Sequence, residues 1–162
     1  MQAIKLRYEA EHTFCAPAHA VAAVFHDLPS LARCTADVES FECLDAVTAR
    51  WTLATQRDLG IVFQPRYCLR YSWETPRTLC WRTLPEDSAT VAIDARVQFV
   101  DLSACRSRVC ITEQVEFSLP VSLITAKIVK VMAHRQMLAD MKEFLQRIDV
   151  IVVAQTMAEA SR

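Results

Sequence analysis

Glycine occurs once in this chain of 162 residues, at Gly60. Loops that cradle phosphate need several glycines so that backbone amides can close on the anion, and the Gly-x-Gly-x-x-Gly and Walker types are therefore excluded. Seven cysteines are present, at 15, 34, 43, 68, 80, 105 and 110, but no two form a Cys-x-x-Cys pair. Zinc and iron–sulfur sites favour such close spacings, so no metal site is expected. The opening from Met1 to Arg7 has no apolar signal core, which makes the cysteines expected free thiols of a reducing cytoplasm. No apolar run approaches the ~18 residues of a spanning helix, and no integral membrane segment is expected. Charge of either sign is not in excess: 18 Lys+Arg oppose 19 Asp+Glu, and the two are interspersed. A dedicated nucleic-acid surface is not expected from such a balance.

What the chain does have is apolar content, 52% of its residues. At this length that suffices for one core, and residues 1–162 read as a single domain. Ile4 to Phe14 alternate, with Ile4, Leu6, Tyr8, Ala10, His12 and Phe14 on one face of a first strand. Pro17 opens a short helix over Ala18 to His26, the Asp27-Leu28-Pro29-Ser30 stretch breaks it, and Leu31 to Cys34 makes a second short helix or turn. Period two then returns. Strands are expected over Val38–Leu44, Ala49–Gln56, Ile61–Trp73, Thr78–Leu84, Val91–Val100 and a last one that carries Val109 to Leu119. Gly60 falls in a turn, and Pro65 is tolerable inside the third of these only at an edge or bulge.

From Pro120 to about Val152 the period changes to three and four, through Val131, Leu138, Met141, Leu145, Ile148 and Val152. This predicts one long amphipathic helix started by Pro120. His134 stands where the stripe calls for an apolar group. The order is strand, two short helices, about six strands and one long helix.

That layout, with Phe14-x-Ala16-Pro17-Ala18 before the first helix, Asp27-Leu28-Pro29, Trp81 in a mid-chain strand and a proline before the C-terminal helix, resembles the START-like (SRPBCC) superfamily. Within it, the polyketide cyclase/dehydrase and coenzyme Q-binding group is the nearest likeness. The resemblance implies an α+β helix-grip fold, in which a curved antiparallel sheet of about seven strands wraps around the long C-terminal helix and leaves an apolar cavity. It also implies a lipid, quinone or polyketide-like ligand, and no cofactor. The near absence of glycine departs from a family that often places glycines at its strand turns.

On the expected inner face Tyr8, His12, Tyr67, Tyr71 and Trp81 interrupt an apolar wall, as the polar groups of small-molecule pockets do. Each also reads as a core residue whose polar tip finds a partner. Arg135 and Leu138 of the helix join the expected ligand-binding set. Glu113 is the sharpest feature, because a lone carboxylate among Val109, Ile111, Val115 and Phe117 must be paired or hold its proton. Glu113 lies seven residues before Pro120 on a strand and His134 fourteen after it on a helix. At ~3.3 and ~1.5 Å per residue both are roughly 21 to 23 Å from the turn. With the helix folded straight back along the strand they are expected to face each other, as an acid–base pair or as a buried hydrogen-bonded pair that anchors the helix, Arg135 being the other candidate partner of the carboxylate.

Three functions fit these expectations. The first is binding or carriage of a hydrophobic small molecule. The second is an enzyme of the cyclase or dehydrase type with Glu113 and His134 as acid and base. The third is a protein-interaction module, for which the apolar tail Ile148 to Met157 offers a partner or homodimer contact.

Overall fold

The computed structural model describes residues 1–162. Strand β1 (Gln2–Phe14) leads into helices α1 (Ala18–Phe25) and α2 (Leu28–Cys34). Seven strands of a meander follow as β2 (Val38–Cys43), β3 (Thr48–Leu53), β4 (Gln56–Asp58), β5 (Ile61–Phe63), β6 (Arg66–Thr75), β7 (Thr78–Leu84) and β8 (Val91–Ser103). Strand β9 (Arg106–Leu119) then delivers the chain to helix α3 (Leu123–Ala160). Seven strands form one antiparallel sheet in the order β1-β9-β8-β7-β6-β3-β2, and β4 pairs only with β5. The architecture is the α+β helix-grip arrangement, with the sheet packed on α3.

Alternation explains the sheet. Along β9, Val109, Ile111, Glu113, Val115, Phe117 and Leu119 are buried while Arg108, Gln114, Glu116 and Ser118 are exposed. The same phase holds in β1, β6 and β8, so one face carries the core. Arg66, Arg70, Arg82 and Arg96 are exposed on the opposite face, and there Arg82 pairs with Asp94 and Arg96 with Glu74.

Four local expectations need correction. Asp27-Leu28-Pro29-Ser30 does not stay outside a helix: Asp27 is the N-cap residue of α2 and Pro29 lies in its first turn, where a missing N–H costs nothing. Ile61–Trp73 is not one strand. Gln64 and Pro65 divide it, because Pro65 has no N–H for a ladder, and its carbonyl instead accepts from the Leu53 amide at 2.9 Å. The β8–β9 connection is shorter than expected, with only Ala104 and Cys105 between the strands. Finally, Pro120 does not begin the long helix. Ser122 caps it, accepting the Thr125 amide at 3.1 Å, and the helix runs 38 residues.

At 1.5 Å per residue α3 is about 57 Å long. Its second half carries the packing: Phe144, Leu145, Ile148 and Val152 are buried against the sheet and α1. Its first half runs beside β1 and presents thin side chains, Val129 and Ala133, across a gap toward the aromatic inner face. The gap left there is the cavity. No helix of the chain is long and apolar enough to cross a membrane.

Candidate functional site

Strand register lays five residues in one row across the inner face. Tyr71 of β6 pairs with Trp81 of β7, Trp81 with Ala95 of β8, Ala95 with Glu113 of β9, and Glu113 with Tyr8 of β1. Trp81 and Glu113 are two strands apart, about 9.6 Å at the usual strand spacing. Only a small side chain between them lets the indole lie across, and Ala95 is that residue. Over it, Trp81 Nε1–H donates to Glu113 Oε2 at 2.9 Å. From the other side the Tyr8 hydroxyl donates to Glu113 Oε1.

Glu113 thus accepts one bond on each oxygen, yet it forms no ion pair. It is 7% exposed. Burial pushes its carboxyl above the ordinary value, outweighing the two hydrogen bonds that favour the charged form. Burial first, and the Glu113 charge second, hold the Tyr8 phenol well above its usual range. The Tyr67 and Tyr71 phenols are raised for the same leading reason. The three hydroxyls are therefore neutral, and of them Tyr8 donates to Glu113.

This row floors a cavity of about 630 Å³, 23 of whose 32 lining residues are hydrophobic. Leu69, Ile93, Val115 and Phe117 extend the floor, and Val129, Ala133, Met137 and Phe144 of α3 form the roof. Trp51 stacks near Tyr67 at the side wall, with ring centroids 6.3 Å apart. Its indole N–H is buried and makes no hydrogen bond of ordinary geometry. Residues that both line the cavity and are exposed mark its mouth: Asp37 after α2, Gln56 to Leu59 of the β4–β5 hairpin, and Met132 and Gln136 of α3. Just inside, Asp140 accepts from Gln136 Nε2 at 2.8 Å, and burial raises its carboxyl.

Tyr8, Tyr67, Tyr71, Trp81 and Glu113 all border the cavity. His134 does not. It lines a separate groove with Lys5, Arg7, Gln114 and Arg135, beside the free edge of β1. The expected facing of Glu113 and His134 is corrected on two physical grounds. The helix starts three residues later than Pro120, and successive residues turn by about 100°, so Ala133 faces the cavity and His134 faces β1. Arg135 is exposed in the same groove, and Leu138 packs on the core without lining the cavity. His12 joins strand to helix instead, its Nε2 standing 2.9 Å from Asp149 Oδ2. In the tail, Ile148 and Val152 belong to the core, whereas Val150, Val153 and Met157 are exposed.

Sequence reasoning missed Ala95 as the gap under Trp81, Trp51 as side wall, and Asp140 and Met137 as roof. A helical step from Val129 through Ala133, Met137, Asp140 and Phe144 was the available signal, hidden because the more apolar stripe lay beside it.

Comparison with solved structures gives the same fold. The protein TTHA0849 from Thermus thermophilus superposes at TM-score 0.75 with 19% identity, covering 93% of this chain and 99% of that one. A START superfamily protein from Mycobacterium smegmatis does so at TM-score 0.67 and 12% identity, over 92% and 98% of the two chains. The Zhui aromatase/cyclase from Streptomyces sp. R1128 follows at TM-score 0.61 and 17% identity, over 96% of each. At such identities the likeness establishes the START-like fold. No family model and no curated protein sequence matches the chain.

Proposed function

We propose that this protein binds and carries a hydrophobic small molecule, held in the cavity under α3 with a polar end at the Tyr8–Glu113–Trp81 row. The observation that carries the reading is the cavity itself, apolar over most of its wall and set with one partly satisfied acid. Its volume falls within the ~300–1,000 Å³ of small-molecule pockets, which are likewise apolar with a few fixed polar groups. Burial raises the Glu113 carboxyl and no cation stands beside it, which suits a ligand carbonyl or hydroxyl better than a ligand carboxylate. Lipids, quinones and polyketide-like molecules are the class that fits.

Native mass spectrometry of the purified protein, followed by denaturation and extraction, tests this. A bound apolar molecule, or displaceable binding of a hydrophobic fluorophore, is expected in the parent protein. Ala133→Phe fills the roof and should lower that binding at least ten-fold without unfolding the chain. A protein that carries nothing and takes up no probe would discard the reading.

A second reading, an enzyme of the cyclase or dehydrase type, is favoured by one observation: Glu113 is a buried acid with its pKa raised, placed against the ligand space. Such an acid protonates a carbonyl oxygen as the neighbouring C–H proton passes to a base in enolisation, or protonates a carbinol hydroxyl that leaves as water while a base takes the adjacent C–H proton. The fold likeness to an aromatase/cyclase supports the same direction. His134 lies outside the cavity, and the carboxylates besides Glu113 that line it are Asp37, Asp58 and Asp140; of these Asp140, the one that burial raises, is the candidate base. Glu113→Gln should keep ligand binding and abolish turnover; a parent protein that returns every bound ligand unchanged leaves carriage alone.

A further inference from the structure

The first half of α3 has two apolar sides. One, through Val129 and Ala133, roofs the cavity. The other is made by Ile124, Ile128 and Val131, spaced by four and three on one helical face, and these are 74%, 50% and 55% exposed. Ile124 and Ile128 line neither the cavity nor the groove beside β1, and Val131 stands at the edge of that groove. Large aliphatic side chains left in water at helical spacing mark a surface that meets something.

Charge says what. Between Glu116 and Asp140 the chain has no Asp or Glu, while Lys127, Lys130 and Arg135 are all present and all exposed. The second half of the same helix is mixed, with Asp140, Glu143 and Asp149 among Lys142 and Arg147. A helix segment that is apolar on its outer face and flanked by cations alone fits the boundary of an anionic bilayer, where aliphatic groups enter the acyl region and lysines stay at the headgroups. The face also runs toward the cavity: Met132, one step from Val131, is exposed and borders the mouth.

We infer that the outer face of α3 around Ile124, Ile128 and Val131, with Lys127, Lys130 and Arg135, docks the protein reversibly on an anionic lipid surface, next to the mouth of the cavity. This goes beyond carriage of a ligand, since docking does not require the cavity to be filled. Its failure and the failure of the carrier reading are separate results.

The test is co-sedimentation with vesicles. With phosphatidylcholine and phosphatidylglycerol at 7:3 in low salt, the parent protein should pellet with the lipid. With phosphatidylcholine alone, or in 0.5 M NaCl, binding should fall at least ten-fold, because screening and loss of lipid charge remove the same attraction. Ile124→Glu/Ile128→Glu and Lys127→Glu/Lys130→Glu should each lower binding at least ten-fold while circular dichroism shows an unchanged fold. No pelleting of the parent with the charged vesicles overturns the inference, as do variants that bind like the parent. A dimer in sedimentation velocity that Ile124→Glu/Ile128→Glu dissolves, without vesicle binding, also overturns it and assigns the face to a second copy of the chain.

Discussion

Trp81 of β7 reaches over Ala95 to donate its indole N–H to Glu113 of β9, 2.9 Å away, across a strand that contributes only a methyl group between them. The bond joins β7 to β9 across β8 through side chains and fixes where the one buried carboxyl stands. It also makes Ala95 a residue whose size, rather than chemistry, is the requirement.

Ala95→Leu should therefore act at a distance from Ala95 itself. The added branch occupies the lane of the indole, so overpacking costs about 1–3 kcal/mol, and Trp81 and Glu113 part. Urea unfolding gives the stability loss, and a shift in tryptophan emission reports the released indole. A variant with unchanged stability and emission would mean that the indole does not lie over Ala95.

Substitutions of Glu113 should divide by shape. Gln keeps an oxygen for the Trp81 N–H, and its amide group can donate to the Tyr8 oxygen, so Glu113→Gln is expected within about 1 kcal/mol of the parent. Ala leaves two buried donors without acceptors and opens a void. Its cost should exceed about 2 kcal/mol, from unpaired donors at about 1–3 kcal/mol each. Denaturant midpoints at fixed pH decide between them.

The same residue sets a slope of stability with pH. Glu113 has a folded pKa raised above the ordinary 4.5 by burial, so the native chain holds a proton there that the unfolded chain has lost. Stability is then fullest below about pH 4.5 as far as this group is concerned, and it falls as pH rises through the folded value. Asp140, also raised by burial, adds to the fall from just below pH 4. Glu113→Gln/Asp140→Asn should flatten the decline when unfolding free energies are compared from pH 4 to 8. A parent whose stability rises across that range would contradict the direction.

How far the sequence carried these conclusions depends on the period of each element. A strand has period two, so a single phase error would have inverted every assignment; Tyr8, Tyr67, Tyr71, Trp81 and Glu113 all fell on the inner face because the alternation ran long enough to fix it. Register across strands is not written in any one strand, so the Tyr71–Trp81–Ala95–Glu113–Tyr8 row was out of reach although each member was named or placed. The helix was legible in existence and less so in facing. At about 100° per residue, a stripe that drifts by a few positions over 38 residues cannot be extrapolated from its well-packed end. His134 was carried into the cavity by that extrapolation.

Val131 went the same way, and it provides a comparison between the two halves of α3. Val131, Leu145 and Ile148 all belong to the apolar stripe of the sequence, but Val131 is largely exposed, and Leu145 and Ile148 are sealed in the core. Leu145→Ala and Ile148→Ala each remove methyl groups from a packed site and should cost about 2–5 kcal/mol. Val131→Ala removes surface that water already reaches, and its effect should lie within about 0.5 kcal/mol. Urea unfolding of the three variants without lipid measures all of this in one series. Equal, large losses at all three positions would mean that the first half of α3 packs as its second half does; the outer face proposed for lipid would then be core, and the space under Ala133 and Val129 would close.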